Sequence, residues 1–117
     1  WRETPDYSQG QVLEPFMSDL LQRDKFSTPV EQNLVTADWR ARGYSCGLFV
    51  DPPGQQWLDF THSTNELVTV VEGRLDMTVG DVRIEMGPGD EVFIPANATH
   101  SVCNIHDGIS RWLYGYD

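Results

Sequence analysis

From about residue 33 onward, apolar side chains recur at every second position, and turn-forming residues interrupt the pattern every few residues. Leu75, Met77 and Val79 alternate with Arg74, Asp76 and Thr78. Val82, Ile84 and Met86 then alternate with Asp81, Arg83 and Glu85. Successive side chains of a strand point to opposite faces, so a period of two predicts strands with one apolar and one polar face. Gly80-Asp81 between the two runs is a hairpin signal, and Asp51-Pro-Pro-Gly54 and Gly87-Pro-Gly89 are further turns. Other strand-like runs are Leu34–Trp39, Tyr44–Val50, Trp57–His62, Glu66–Glu72, Glu91–Ile94, His100–Ile105 and Ser110–Tyr116. About nine short strands with no helical pattern between them exclude a parallel sheet, which needs crossover helices. The chain is therefore expected to be all-β, an antiparallel sandwich or barrel.

The first third is different. Pro5, Gly10, Pro15 and Pro29 stand among polar residues, which predicts an irregular N-terminal arm over residues 1–32 before a barrel domain over 33–117. One short helix is expected where Pro15 occupies a first turn and Phe16, Met17, Leu20 and Leu21 form an apolar face. Phe16, Leu20 and Phe26 offer apolar surface that a small barrel leaves uncovered, and on this ground a homodimer is expected.

Charge narrows the partners. The 117 residues carry 18 acidic and 8 basic side chains, a net charge of −10, and the basic residues are scattered singly. Neither nucleic acid nor an anionic membrane surface suits such a chain, because both need clustered cations. No apolar run approaches the roughly 20 residues of a membrane helix. With no secretory pattern visible, a cytoplasmic location is the default expectation. Cys46 and Cys103 lack the close spacing of a zinc site and read as two reduced thiols.

The chemistry concentrates in two segments. In Phe60-Thr-His62-Ser-Thr-Asn-Glu66-Leu-Val-Thr-Val-Val-Glu-Gly73, strand parity puts Phe60, His62 and Glu66 on the face of Val68 and Val70, the core face. In Gly89 to Asn104, His100, Val102 and Asn104 share a face. A carboxylate turned toward an apolar interior is costly unless it is paired or metal-bound. Two imidazoles and one carboxylate suit Fe(II), Mn, Zn, Ni or Cu, and three protein ligands leave coordination positions open. His106 lies in a turn composition and reads as a surface residue. Trp57, Trp112, Tyr114 and Tyr116 are candidates to line a pocket; Cys46 is a further candidate that reads first as a buried structural thiol. No nucleophile elbow and no phosphate-cradling glycine loop occurs.

These two segments resemble the paired motifs of the cupin superfamily. His62, Glu66 and Gly73 match the second His, the acid and the closing Gly of the first motif. Gly89, Pro95, His100 and Asn104 match the second. Phe60 stands where the first motif has its first His, and Asn97 replaces a Gly, a mild change because Asn tolerates positive φ. The resemblance covers roughly residues 40–116. It implies a double-stranded β-helix, or jelly-roll barrel, with a metal in its mouth and frequent dimers. The implied ligands are His62, Glu66 and His100, holding one divalent ion (iron, manganese, zinc or nickel), with Asn104 behind His100 and Phe60 as an apolar wall. The expected function is a metal-dependent cupin acting on a small organic molecule, with oxygenase chemistry if it is an enzyme. The alternative is a non-catalytic binding or sensing module. Cupins differ too widely in function for the fold to choose.

Overall fold

The computed structural model describes residues 17–117. Among the described residues, nine strands form two antiparallel sheets. They are β1 (Leu21–Gln22), β2 (Gly47–Asp51), β3 (Gln56–Phe60), β4 (Glu66–Glu72), β5 (Leu75–Val79), β6 (Val82–Met86), β7 (Glu91–Ile94), β8 (His100–Asn104) and β9 (Ser110–Tyr116). One sheet runs β1-β7-β4-β9-β2 and the other β3-β8-β5-β6. Helices α1 (Met17–Leu20) and α2 (Gln32–Ala41) precede most of the strands. Pro15 and Phe16, with which the arm helix was expected to begin, lie outside the described residues. No helix among the described residues is long and apolar enough to cross a membrane.

The all-β expectation holds, and the hairpin at Gly80-Asp81 joins Val79 to Val82 as the alternation predicts. Gly80 sits at φ +57°, where glycine carries no steric penalty. One expectation fails. Leu34–Trp39 is helical, inside α2, rather than a strand. Val35 and Trp39, four residues apart, are buried on one face while Leu34 is exposed, so the working period there is the helical one. The end of α2 is a paired hydrogen-bond closure: Tyr44 N–H donates to Trp39 O (2.9 Å) and Gly43 N–H to Arg40 O (3.0 Å). Gly43 takes φ +90°, the left-handed turn that stops a helix. Arg40-Ala-Arg-Gly43 was a readable stop signal in the sequence.

Two apolar clusters follow. The interior of the sandwich holds Val68, Val70, Leu75, Met77, Ile84, Met86, Val92, Ile94, Val102 and Trp112. A second cluster, Val30, Val35, Trp39, Leu67 and Leu113, fills the seam between α2 and the outer face of the five-stranded sheet. Strand β4 is thus covered on both faces, which is why its run from Glu66 to Val70 is buried throughout. Leu20 packs into the interior cluster and Phe26, partly buried, against the seam; Phe16, the third arm residue of the dimer expectation, lies outside the described residues. Both cysteines are free.

Candidate metal centre and pocket

Two of the ligand candidates open strands and the third lies in a loop. Glu66 opens β4 and pairs with Ile94 and Tyr116, its side chain on the interior face. His100 opens β8 opposite Phe60. His62 lies in the loop after β3, and that loop is fastened from two sides. Asn97 N–H donates to His62 O (2.7 Å), with Asn97 at φ +68°. Asn65 Oδ1 accepts from Ala96 N–H (2.8 Å), and Asn65 Nδ2 donates to Asp117 Oδ2 (2.9 Å). Asn65 and Asp117 were not singled out in the sequence, where each reads as an ordinary loop residue.

The three side chains converge. Their ligand atoms all lie within 4.8 Å of one another. His100 Nε2 is 3.4 Å from Glu66 Oε1, and His62 Nε2 is 3.7 Å from the same oxygen. Both separations exceed the length of a well-formed hydrogen bond. Glu66 Oε1 is buried and meets no hydrogen-bond donor among the described residues. His100 Nδ1 lies 3.0 Å from Ala98 O. A carbonyl can only accept, so Nδ1 carries the hydrogen and Nε2 of the neutral ring offers its lone pair toward Glu66. The His100 Nε2 lone pair and the Glu66 carboxylate thus face one point beside the His62 ring, an arrangement that a cation satisfies.

Two titrations follow from this packing. Burial lowers the His100 pKa, but attraction to Glu66 and the bond to Ala98 outweigh it, and the net shift is upward. Desolvation, aided by the charge of Glu66, pushes the Tyr116 phenol up to about 12, so it stays protonated and able to donate.

Beside the three ligands opens a cavity of about 240 Å³ lined by Phe49, Trp57, Phe60, His62, Glu66, His100, Val102, Trp112 and Tyr116. Phe60 reaches it because β3 carries an irregularity: Trp57 and Phe60, three residues apart, both face inward, with Asp59 between them at φ +57°. Asp59 N–H donates to Ser101 Oγ (2.9 Å), which holds that bend. The Phe60 ring lies nearly parallel to that of His62 (6.4 Å between centroids, 9° between planes), so it walls the metal end with carbon.

The remaining candidates divide. Trp57 and Trp112 line the cavity, as does Tyr116. Tyr114 stacks on Phe49 at 4.4 Å and backs the wall rather than lining it. Cys46 packs against the α2 seam, away from the cavity. Asn104, which follows the parity of His100, does not stand behind it. Its Nδ2 donates to Asp51 O, Pro52 O and Gly108 O at 3.1, 2.9 and 3.1 Å, and its Oδ1 accepts from Ser110 Oγ and His106 N–H. Asn104 therefore ties the β2–β3 and β8–β9 turns together at the opposite end of β8. His106 is partly exposed in that turn. Phe49, absent from the sequence-derived candidates, stands at the centre of the aromatic wall, 4.8 Å from Trp112 and 5.6 Å from Trp57. Leu48, Phe49 and Val50 are all apolar, so alternation in the sequence could not single Phe49 out; only the structure shows that its two neighbours are exposed.

The fold has relatives among solved structures. A cupin superfamily protein from Desulfitobacterium hafniense is 20% identical, with TM-score 0.57 over 62% of this chain and 65% of that one. The cupin domain of Schizosaccharomyces pombe Cnp3 is 18% identical, with TM-score 0.59 over 62% and 54%. A cupin 2 domain-containing protein from Halorhodospira halophila is 23% identical, with TM-score 0.60 over 63% and 52%. The aligned part thus spans roughly half to two thirds of each of these chains. No curated protein matches the sequence. The family described as Cupin domain matches residues 47–116, which takes in every strand from β2 to β9 together with His62, Glu66 and His100, and the chain accordingly belongs to the cupin family.

Proposed function

We propose that this cupin holds one divalent transition-metal ion through His62, Glu66 and His100, and that the ion's open positions face a small organic molecule in the adjoining cavity. The observation that carries this reading is the buried, donorless Oε1 of Glu66, approached by Nε2 of His100 at 3.4 Å and of His62 at 3.7 Å. An unpaired buried carboxylate is strongly disfavoured, and a cation relieves it. The donor set of two imidazoles and a carboxylate is also that of non-haem iron oxygenases, which makes oxidation the favoured chemistry if the protein is an enzyme. When bound, a metal supplies Lewis acidity and a template for ligands at this point.

The chain's own residues have separable parts. The Ala98 carbonyl fixes the His100 tautomer. Phe60 shields the centre from one side, and Tyr116, protonated throughout the physiological range, can donate a hydrogen bond to a ligand oxygen.

The test is metal content by plasma mass spectrometry, on wild type and on His100→Ala. Near-stoichiometric iron or manganese in the wild type, lost in the variant together with any oxygen uptake, is the expected result. Full metal occupancy in His100→Ala would overturn the assignment. A second reading, a binding or sensing module, is favoured by one observation: among the described residues the cavity lining's titratable groups are the three ligands and Tyr116, with no separate general acid or base near neutral pH. Ligand-dependent thermal stabilisation without turnover is its signature.

A further inference from the structure

Behind the two tryptophans of the cavity wall stands a buried acid that the metal centre does not use. Asp51, the last residue of β2, is 3% exposed. Its Oδ2 accepts the indole N–H of Trp57 (3.0 Å) and that of Trp112 (2.9 Å). The turn that carries Asp51 is pinned by Asn104 Nδ2, which donates to the backbone oxygens of Asp51 and Pro52. Both indoles line the cavity, yet their only polar hydrogens are directed at Asp51 and not at a ligand. The cavity therefore has two unlike ends. On β9, Tyr116 pairs with Glu66 at the metal end, and Trp112 stands four residues back, about 13 Å along an extended strand. Between the ends the lining offers carbon from Phe49, Trp57, Trp112 and Val102.

We infer that the cavity takes a monocyclic phenol-like molecule, its oxygen at the His62/Glu66/His100 end and an apolar substituent against the two tryptophans, and that Asp51 is the positioning residue that keeps the far end free of hydrogen-bond donors. The size fits: apolar cavities of about 150 Å³ admit benzene, and 240 Å³ adds room for small substituents. The charge fits as well. Among the described residues no Lys or Arg lines the cavity, and Glu66 in the lining and Asp51 behind it are acidic, so a second anionic group has no partner there away from a bound cation. Asp51 stands behind the indole rings and not in the lining, so a hydroxyl at the far end would meet only carbon among the described residues, which apolar sites reject. The oxygen-to-metal half of this inference rests on the proposed metal centre; the donor-free far end does not.

The experiment compares para-cresol with hydroquinone, which differ by a methyl against a hydroxyl at the far position. Binding is followed by calorimetry and tryptophan fluorescence under anaerobic conditions, in metal-free and zinc-loaded protein, with zinc stoichiometry measured on the same samples. The expected result is at least about a tenfold preference for para-cresol in the wild type. Asp51→Asn, whose amide oxygen can still accept both indole hydrogens, keeps that preference. Asp51→Ala frees the hydrogens and brings the ratio toward one. A variant that fails to fold leaves the wild-type ratio as the deciding value. Equal or tighter binding of hydroquinone by the wild type overturns the inference. So does displacement of para-cresol by tetramethylammonium at lower concentration, which would mark a cation box. Absence of phenol binding to protein that holds stoichiometric zinc overturns the ligand class alone. Failure to hold zinc while the para-cresol preference persists overturns the metal centre alone.

Discussion

Glu66 on β4 and Glu91 on β7 lie on neighbouring strands of the same sheet, both almost fully buried, but on opposite faces. Glu91 points outward to the α2 seam. Its Oε1 accepts Trp39 Nε1–H (2.8 Å) and Arg42 Nη1–H (3.0 Å), and its Oε2 accepts Arg42 Nη2–H (2.9 Å). Glu66 points inward, and its Oε1 meets only imidazole nitrogens beyond hydrogen-bond length. Asp51 and Asp90 resemble Glu91, because each has donors of its own. Burial alone therefore does not distinguish a site from a clamp. The distinction lies in what the oxygens face: saturated by donors, a buried acid fixes structure; aimed at other lone pairs, it holds a place for a cation.

The contrast breaks most visibly at Arg42. Arg42→Ala leaves Glu91 charged and buried with one neutral donor. An expected loss of about 3 kcal/mol in urea denaturation follows, at the low end for such pairs because Arg42 is partly exposed, and metal stoichiometry stays unchanged. A loss below about 0.5 kcal/mol would mean the seam does not depend on that pair. Glu66→Gln should do the reverse. At a pH above the His100 titration, the metal-free protein is expected to be as stable as wild type or more so, while metal affinity falls by more than about a hundredfold, or about 2.7 kcal/mol at fixed metal concentration. Stability lost in the metal-free variant would show that Glu66 is a structural acid after all. Asn65→Ala loosens the His62 loop without touching a ligand, and about a tenfold loss of metal affinity with little change in unfolding is expected.

The smallest effect is with pH. The folded pKa of His100 is raised, so its attraction to Glu66 stabilises the metal-free protein fully below the unfolded value of about 6.5. That stabilisation is lost as pH rises through the folded value. In the same window the proton leaves Nε2, so metal affinity rises with pH and then levels. Melting temperature followed with and without metal should diverge across it; parallel curves would remove His100 from the metal site.

Much of this was legible beforehand. The alternation in Leu75–Val79 and Val82–Met86 specified a hairpin because strand periodicity and turn chemistry are local. The phase shared by Glu66, Val68 and Val70 gave the inward face of β4 for the same reason. Leu34–Trp39 misled because a short apolar segment satisfies both periods, and only the seam that Val35 and Trp39 fill decides between them. Asn104 misled differently: parity gave its face correctly, but its position along the strand put it at the far end from His100.

What the chain determined by itself was the antiparallel architecture, the turns at Gly80 and Gly89, and the identity of the three ligand candidates. Each of these follows from spacing within a few residues, where backbone geometry repeats predictably. Tertiary structure alone decided which buried acid lacks donors, that the irregularity at Asp59 turns both Trp57 and Phe60 inward, and that Asp51 gathers two indole hydrogens from strands far apart in sequence. Those outcomes depend on which side chains meet across strands and sheets, and a partner 61 residues away leaves no periodic trace in the sequence.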